Sequence, residues 1–85
     1  MALAQPVPFP RIVRDPRIHG SEPVVRGTRV PVRAILVAWR EYRDVPTLLE
    51  AYPRLTEDDI GQALGYYEAH RQELDELIQA QLADD

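Results

Sequence analysis

The sequence contains no cysteine and no lysine, and its 85 residues include one tryptophan, one phenylalanine and one methionine. Without cysteine there is no disulfide and no thiolate metal site. The two histidines, His19 and His70, lie far apart and show no metal-ligand spacing. Long apolar runs are missing too: the longest near-apolar stretch, Ala34 to Trp39, is far too short to span a membrane. The first ten residues lack a basic start and are broken by prolines, so no signal peptide is expected. A soluble cytoplasmic protein is the default reading. No Ser/His/Asp set and no glycine-rich phosphate loop are present, and Asp58-Asp59 reads better as a helix cap than as acid–base machinery. The expectation is therefore a protein that is not an enzyme and holds no cofactor.

A chain of this length fits one domain with a modest core. Lacking disulfides and metals, such a domain is expected to gain support from oligomerisation, with a dimer favoured, or from a partner chain. Net charge is −4, but it is unevenly spread: residues 1–43 carry eight arginines against three carboxylates, and residues 44–85 carry two against eleven. This polarity suits an anionic partner on one side, and equally head-to-tail self-association or plain solvation of two unlike surfaces. Arginine is the better residue for bidentate phosphate or carboxylate contacts. Genomic base composition also enriches it over lysine.

Residues 1–10 read as a flexible arm. Arg11–Arg14 and Pro23–Arg26 are short β-prone runs, and Thr28–Val30 is a third extended piece; a small hairpin, or a strand paired across a dimer, is the natural reading. Pro31 opens a helix whose Val32, Ile35, Leu36, Trp39 and Tyr42 share a face. Asp44 caps a second short helix opening at Val45-Pro46, with Leu48, Leu49 and Tyr52 inward and Pro53 as its stop. Thr56-Glu57-Asp58-Asp59 is a helix start with a capping-box pattern. The apolar series Ile60, Ala63, Leu64, Tyr67, Leu74, Leu77, Ile78 and Leu82 predicts one helix over 56–82, or two with a bend near 70. Gly61 and Gly65 within it suggest close packing of another backbone. The pattern implies a mainly α fold: a trihelical helix-turn-helix core over 11–70 with a short N-terminal β element, and an amphipathic acidic helix over 71–85.

The run Ile18-His19-Gly20-Ser21-Glu22-Pro23-Val24-Val25-Arg26-Gly27-Thr28-Arg29-Val30-Pro31-Val32 resembles the opening signature of the domain of unknown function 433 family. The run Ala51-Tyr52-Pro53-Arg54-Leu55-Thr56-Glu57-Asp58-Asp59-Ile60 is similar to a later segment of the same family. Together they cover about residues 11–70. This resemblance implies a homeodomain-like winged fold and an antitoxin that neutralises a PIN-like ribonuclease toxin, with repression of its own operon as a further expectation. Many relatives carry Gly-Gly where this chain has Gly20-Ser21, and a glycine where Arg43-Asp44 stand.

In physical terms, Gly27 takes a backbone geometry closed to other residues, and Thr28 fixes the loop by a hydrogen bond. Arg29 then either contacts phosphate or bridges to Glu22 or Asp59, the bridge being favoured. The candidate DNA-binding residues are Arg11, Arg14, Arg26, Arg29 and Arg33. Glu57, Asp58 and Asp59 oppose DNA contact by the third helix, because carboxylates repel the phosphate backbone. The candidate partner-binding residues are Leu74, Leu77, Ile78 and Leu82, with packing of that stripe onto the chain's own core or onto a second copy as an equal alternative. Trp39, Tyr42, Tyr66 and Tyr67 read as core or dimer-interface residues rather than base-stacking groups. The rival to an antitoxin is an oligomeric protein-interaction module that does not bind DNA.

Overall fold

The computed structural model describes residues 9–83. Residues 1–8, most of the expected arm, lie outside that range; Phe9 lies inside it and is docked, its ring edge-on to Tyr66 with centroids 5.6 Å apart. The fold is mainly helical, with a two-stranded antiparallel hairpin ahead of four helices.

Strand β1 (Ile12–Arg14) pairs with β2 (Pro23–Val25) in a register that sets Ile12 opposite Val25 and Arg14 opposite Pro23. The hairpin is therefore intramolecular. Pro23, Val24 and Val25 are all buried, the continuous apolar run expected of a strand covered on both faces. The expected third extended piece forms no strand of its own but returns beside β2, where the Val25 amide donates to the Val30 carbonyl at 2.9 Å and Val24 bridges Pro31. Thr28 ties the turn, its Oγ1 donating to the Val25 carbonyl at 2.8 Å and accepting from the Val30 amide at 3.0 Å. Gly27 sits at φ 79°, which its lack of a Cβ allows.

Helix α1 (Val32–Tyr42) buries Val32, Ile35 and Leu36. Tyr42 falls at its last turn and is 52% exposed, so of the two places expected for it, core or dimer interface, it does not take the first. Helix α2 (Val45–Ala51) starts on Asp44, whose carboxylate accepts from the Thr47 amide at 3.0 Å. Helix α3 (Glu57–Ala69) carries the full capping box: the Asp59 amide donates to Thr56 Oγ1 at 3.1 Å and the Thr56 amide donates to the Asp59 carboxylate at 3.0 Å. The long apolar series divides at His70 (φ −130°), and α4 (Arg71–Ala83) follows. That break lets α4 turn back onto α1, burying Leu74 and Ile78.

Two sequence expectations need correction. The stripe assigned to a partner is largely core: Leu74 and Ile78 are 0% and 1% exposed, Leu77 packs partly against them, and only Leu82, at 53%, is open. Among the described residues, no backbone atom is one of the nearest neighbours on the Gly61–Gly65 face. A Cβ at Gly65 meets the Phe9 ring at 2.9 Å, whereas Gly61 faces open space.

Two loop positions noted in the sequence carry backbone strain. Ser21 (φ 72°) and Arg43 (φ 52°) both adopt the left-handed conformation that favours glycine. Arg43→Gly is expected to stabilise the fold by about 1 kcal/mol, and Gly61→Ala, in an open helix interior, by a similar amount. Urea denaturation measures both. Unchanged midpoints would show that neither site limits stability.

Candidate functional site

Arginines expected on one anion-binding surface are divided in the folded chain between internal ion pairs and a small cleft. Arg11 places Nε 2.7 Å from Asp59, a carboxylate that is completely buried. Its main-chain amide also donates to Gln62 at 2.7 Å, and its guanidinium reaches the Arg26 carbonyl at 3.2 Å. Arg14 donates to Glu73 at 2.6 Å, to the Tyr66 hydroxyl at 2.9 Å and to the Ser21 carbonyl at 3.2 Å. Arg33 approaches Glu22 at 2.7 Å, off the alignment of a hydrogen bond, and bonds Gln81 of α4. Three of the five candidate DNA contacts are thus held by the chain's own carboxylates. Outside the candidate set, Arg40 reaches Asp75 at 3.4 Å, and Arg71 pairs with Glu68.

Asp59 shows why these pairs matter. Burial alone pushes its carboxyl up, but the hydrogen bond from Arg11, the Thr56 amide and the nearby guanidinium charge overcome this and hold it below the usual range. The bridge expected from Arg29 to Glu22 or Asp59 does not form. Glu22 and Asp59 are taken by Arg33 and Arg11, and among the described residues Arg29 makes no ion pair.

Arg26 and Arg29 remain. The Nε of Arg26 donates to the Pro10 carbonyl at 3.0 Å, leaving its charge without a carboxylate among the described residues. Arg29 lines a cleft of about 420 Å³ together with Arg17, Arg54 and Asp15, over a floor that includes Val13, Ile18 and Val24. Arg17 is paired with Asp15 across 3.0 Å. That contact, followed by the Arg17 amide, lowers the Asp15 carboxyl to about 2. Sequence reasoning did not single out Arg17 or Arg54. The available signal for Arg54 was its place in the Pro53-Arg54 turn, between helices that the periodicity had located. Among the described residues no cluster of His, Asp and Glu is gathered to hold a metal ion, and no helix is long and apolar enough to cross a membrane.

The family described as Protein of unknown function (DUF433) matches residues 12–67, which hold the hairpin, α1, α2 and most of α3. The chain belongs to the DUF433 family. It is similar to the uncharacterized protein y4eO of Sinorhizobium fredii (strain NBRC 101917 / NGR234), with 41% identity over 59 residues, 69% of this chain and 27% of that protein. This chain therefore spans only about a quarter of that relative's length. It also resembles the crystal structure of a DUF433 member protein from Anabaena variabilis ATCC 29413, at 30% identity and a TM-score of 0.76, covering 81% of this chain and 68% of that one. The family match ends within α3, so the Arg14–Glu73, Arg33–Gln81 and Arg40–Asp75 contacts tie the DUF433 segment to a helix beyond it.

Because the Asp59 carboxyl is lowered in the folded state, its stabilising contribution is present above the unfolded carboxyl's pKa and is lost as pH falls through the folded value. In Arg11→Met the burial effect is opposed only by the hydrogen bonds with Thr56, so acid unfolding is expected to begin at higher pH than in the parent. Asp59→Ala removes the cap and strands Arg11; it is expected to cost about 3 kcal/mol. Circular dichroism across an acid titration measures the first effect and urea denaturation the second. Superimposable acid profiles would count against the Arg11–Asp59 pair as a fold determinant.

Proposed function

We propose that this DUF433 protein acts by binding another protein, as the antitoxin of a PIN-like ribonuclease, and not chiefly by gripping DNA. The observation that carries this reading is the engagement of Arg11, Arg14 and Arg33 with Asp59, Glu73 and Glu22. A guanidinium held by a buried or half-buried carboxylate has to break that pair before it can neutralise a phosphate. The first turn of α3, with Glu57, Asp58 and Asp59, adds repulsion where a recognition helix enters the groove. In this reading α2 and α3 form a helix-turn-helix pair that serves as scaffold, and the hairpin occupies the place of a wing. The ribonuclease class comes from the family resemblance.

Two features support a protein partner. The outward side of α4 presents Gln72, Glu76 and Gln79 to solvent, and Leu82 and Tyr42 are large exposed apolar groups. On that side Glu76 carries a carboxylate that no ion pair among the described residues takes up, which suits the basic surface that a ribonuclease needs for its own substrate. Leu74 and Ile78, by contrast, belong to the core, and truncation after Arg71 would destroy the fold rather than test binding.

Co-expression of the full chain with a PIN-like ribonuclease from a neighbouring gene is expected to give a stable complex with suppressed RNA cleavage. Paired Glu76→Arg and Gln79→Arg substitutions are expected to weaken that complex about tenfold or more, with the circular dichroism spectrum retained. Electrophoretic shift on the upstream DNA is expected to show only weak, salt-sensitive binding. Tight sequence-specific binding with no complex formed would overturn the reading.

A further inference from the structure

Of the described arginines, Arg26, Arg29, Arg43 and Arg54 have no carboxylate partner, and two of those four line the same cleft. This is unusual in a chain whose net charge is −4. The Arg29 side of the cleft is held firm. Gly27 turns the chain at φ 79°, Thr28 bonds to both sides of the turn, and the His19 ring meets the Arg29 carbonyl at 3.1 Å. Arg54 comes from the α2–α3 turn, which lies between the Leu48-bearing helix and the Asp59 capping box. Two rigid segments far apart in sequence thus bring unpaired guanidiniums to one rim.

We propose that the cleft between the Gly27 turn and Arg54 binds a small phosphate monoester, with Arg29 and Arg54 holding the phosphate and Val13, Ile18 and Val24 receiving the body of the ligand. The volume, about 420 Å³, lies in the range of small-molecule sites. A monoester carries about −1.5 to −2 at neutral pH, which matches the two uncompensated guanidiniums. Asp15 does not cancel them, because Arg17 already neutralises it. The field of Arg29 reaches that carboxylate and helps keep it ionised. An extended polyanion fits less well: beyond Arg54 the surface continues into Glu57 and Asp58, both exposed, which repel a second and third phosphate.

The test is calorimetric titration of the full chain at low ionic strength with adenosine 5′-monophosphate, with adenosine, and with a short DNA duplex. Saturable binding of the monophosphate at one site is expected, with none for adenosine. Arg29→Ala and Arg54→Ala, both at exposed positions, are each expected to weaken it about tenfold. Arg26→Ala, outside the cleft, is expected to leave it unchanged. Amide shifts in a nitrogen-15 spectrum are expected at Val13, Ile18, Gly27 and Arg54. Three results overturn the proposal: no saturable binding of the monophosphate, binding indifferent to both cleft substitutions, or a duplex that displaces the monophosphate and binds more tightly through the same residues.

Discussion

The Asp59 carboxylate is the constraint on which the rest of this structure depends. It closes the first turn of α3 by accepting from the Thr56 amide, and it anchors the hairpin by accepting from Arg11. A buried carboxylate without a cation is costly, and one fully satisfied by a backbone amide and a guanidinium is tolerated and specific in geometry. Arg11 extends the connection, because its amide reaches Gln62 and its carbonyl receives the Arg26 amide at 2.7 Å. Helix start, strand pairing and strand-to-helix packing therefore share one polar node. The apolar core forms around it, with Ile12 and Val25 on the sheet side and Ile60 and Ala63 on the helix side.

The same logic recurs at smaller cost along the chain. Arg33 joins the segment before β2 to α1 and α4 through Glu22 and Gln81, and Arg14 joins β1 to α3 and α4 through Tyr66 and Glu73. The positive N-terminal half and the negative C-terminal half are complementary within one molecule. Charge asymmetry that looks in one dimension like a surface for an anionic partner is answered in part inside the chain, where Arg11–Asp59, Arg14–Glu73 and Arg40–Asp75 join the two halves. These half-exposed pairs each contribute modestly to stability, but together they withdraw charge from the surface. What remains positive is local: the Arg29–Arg54 rim, and Arg26 and Arg43 apart from it.

Much of the fold was legible because local chemistry dictated it. Asp44 and Thr56 start helices by side-chain capping, and apolar residues at helical spacing mark the buried faces of α1 and α3. The break at His70 was legible only as one of two options, since no proline or glycine stands there. Choosing between them required the packing of Leu74 and Ile78 under α1. Gly61 and Gly65 show the limit of reading residue type alone: one accommodates an aromatic ring from a distant segment, and the other accommodates nothing.

The starts of α1, α2 and α3, their caps, the Gly27 turn and membership of a family with two separated motifs were determined by the order of residues, because each depends on short local runs, whereas the pairing of β1 with β2 stood open against a strand paired across a dimer. Tertiary structure alone decided which arginine meets which carboxylate, and so which guanidiniums stay available. Arg11 and Asp59, or Arg29 and Arg54, are brought together by the way α3 and the α2–α3 turn lie against the hairpin. Opposite charges attract without regard to sequence distance, and no periodicity or motif records that choice.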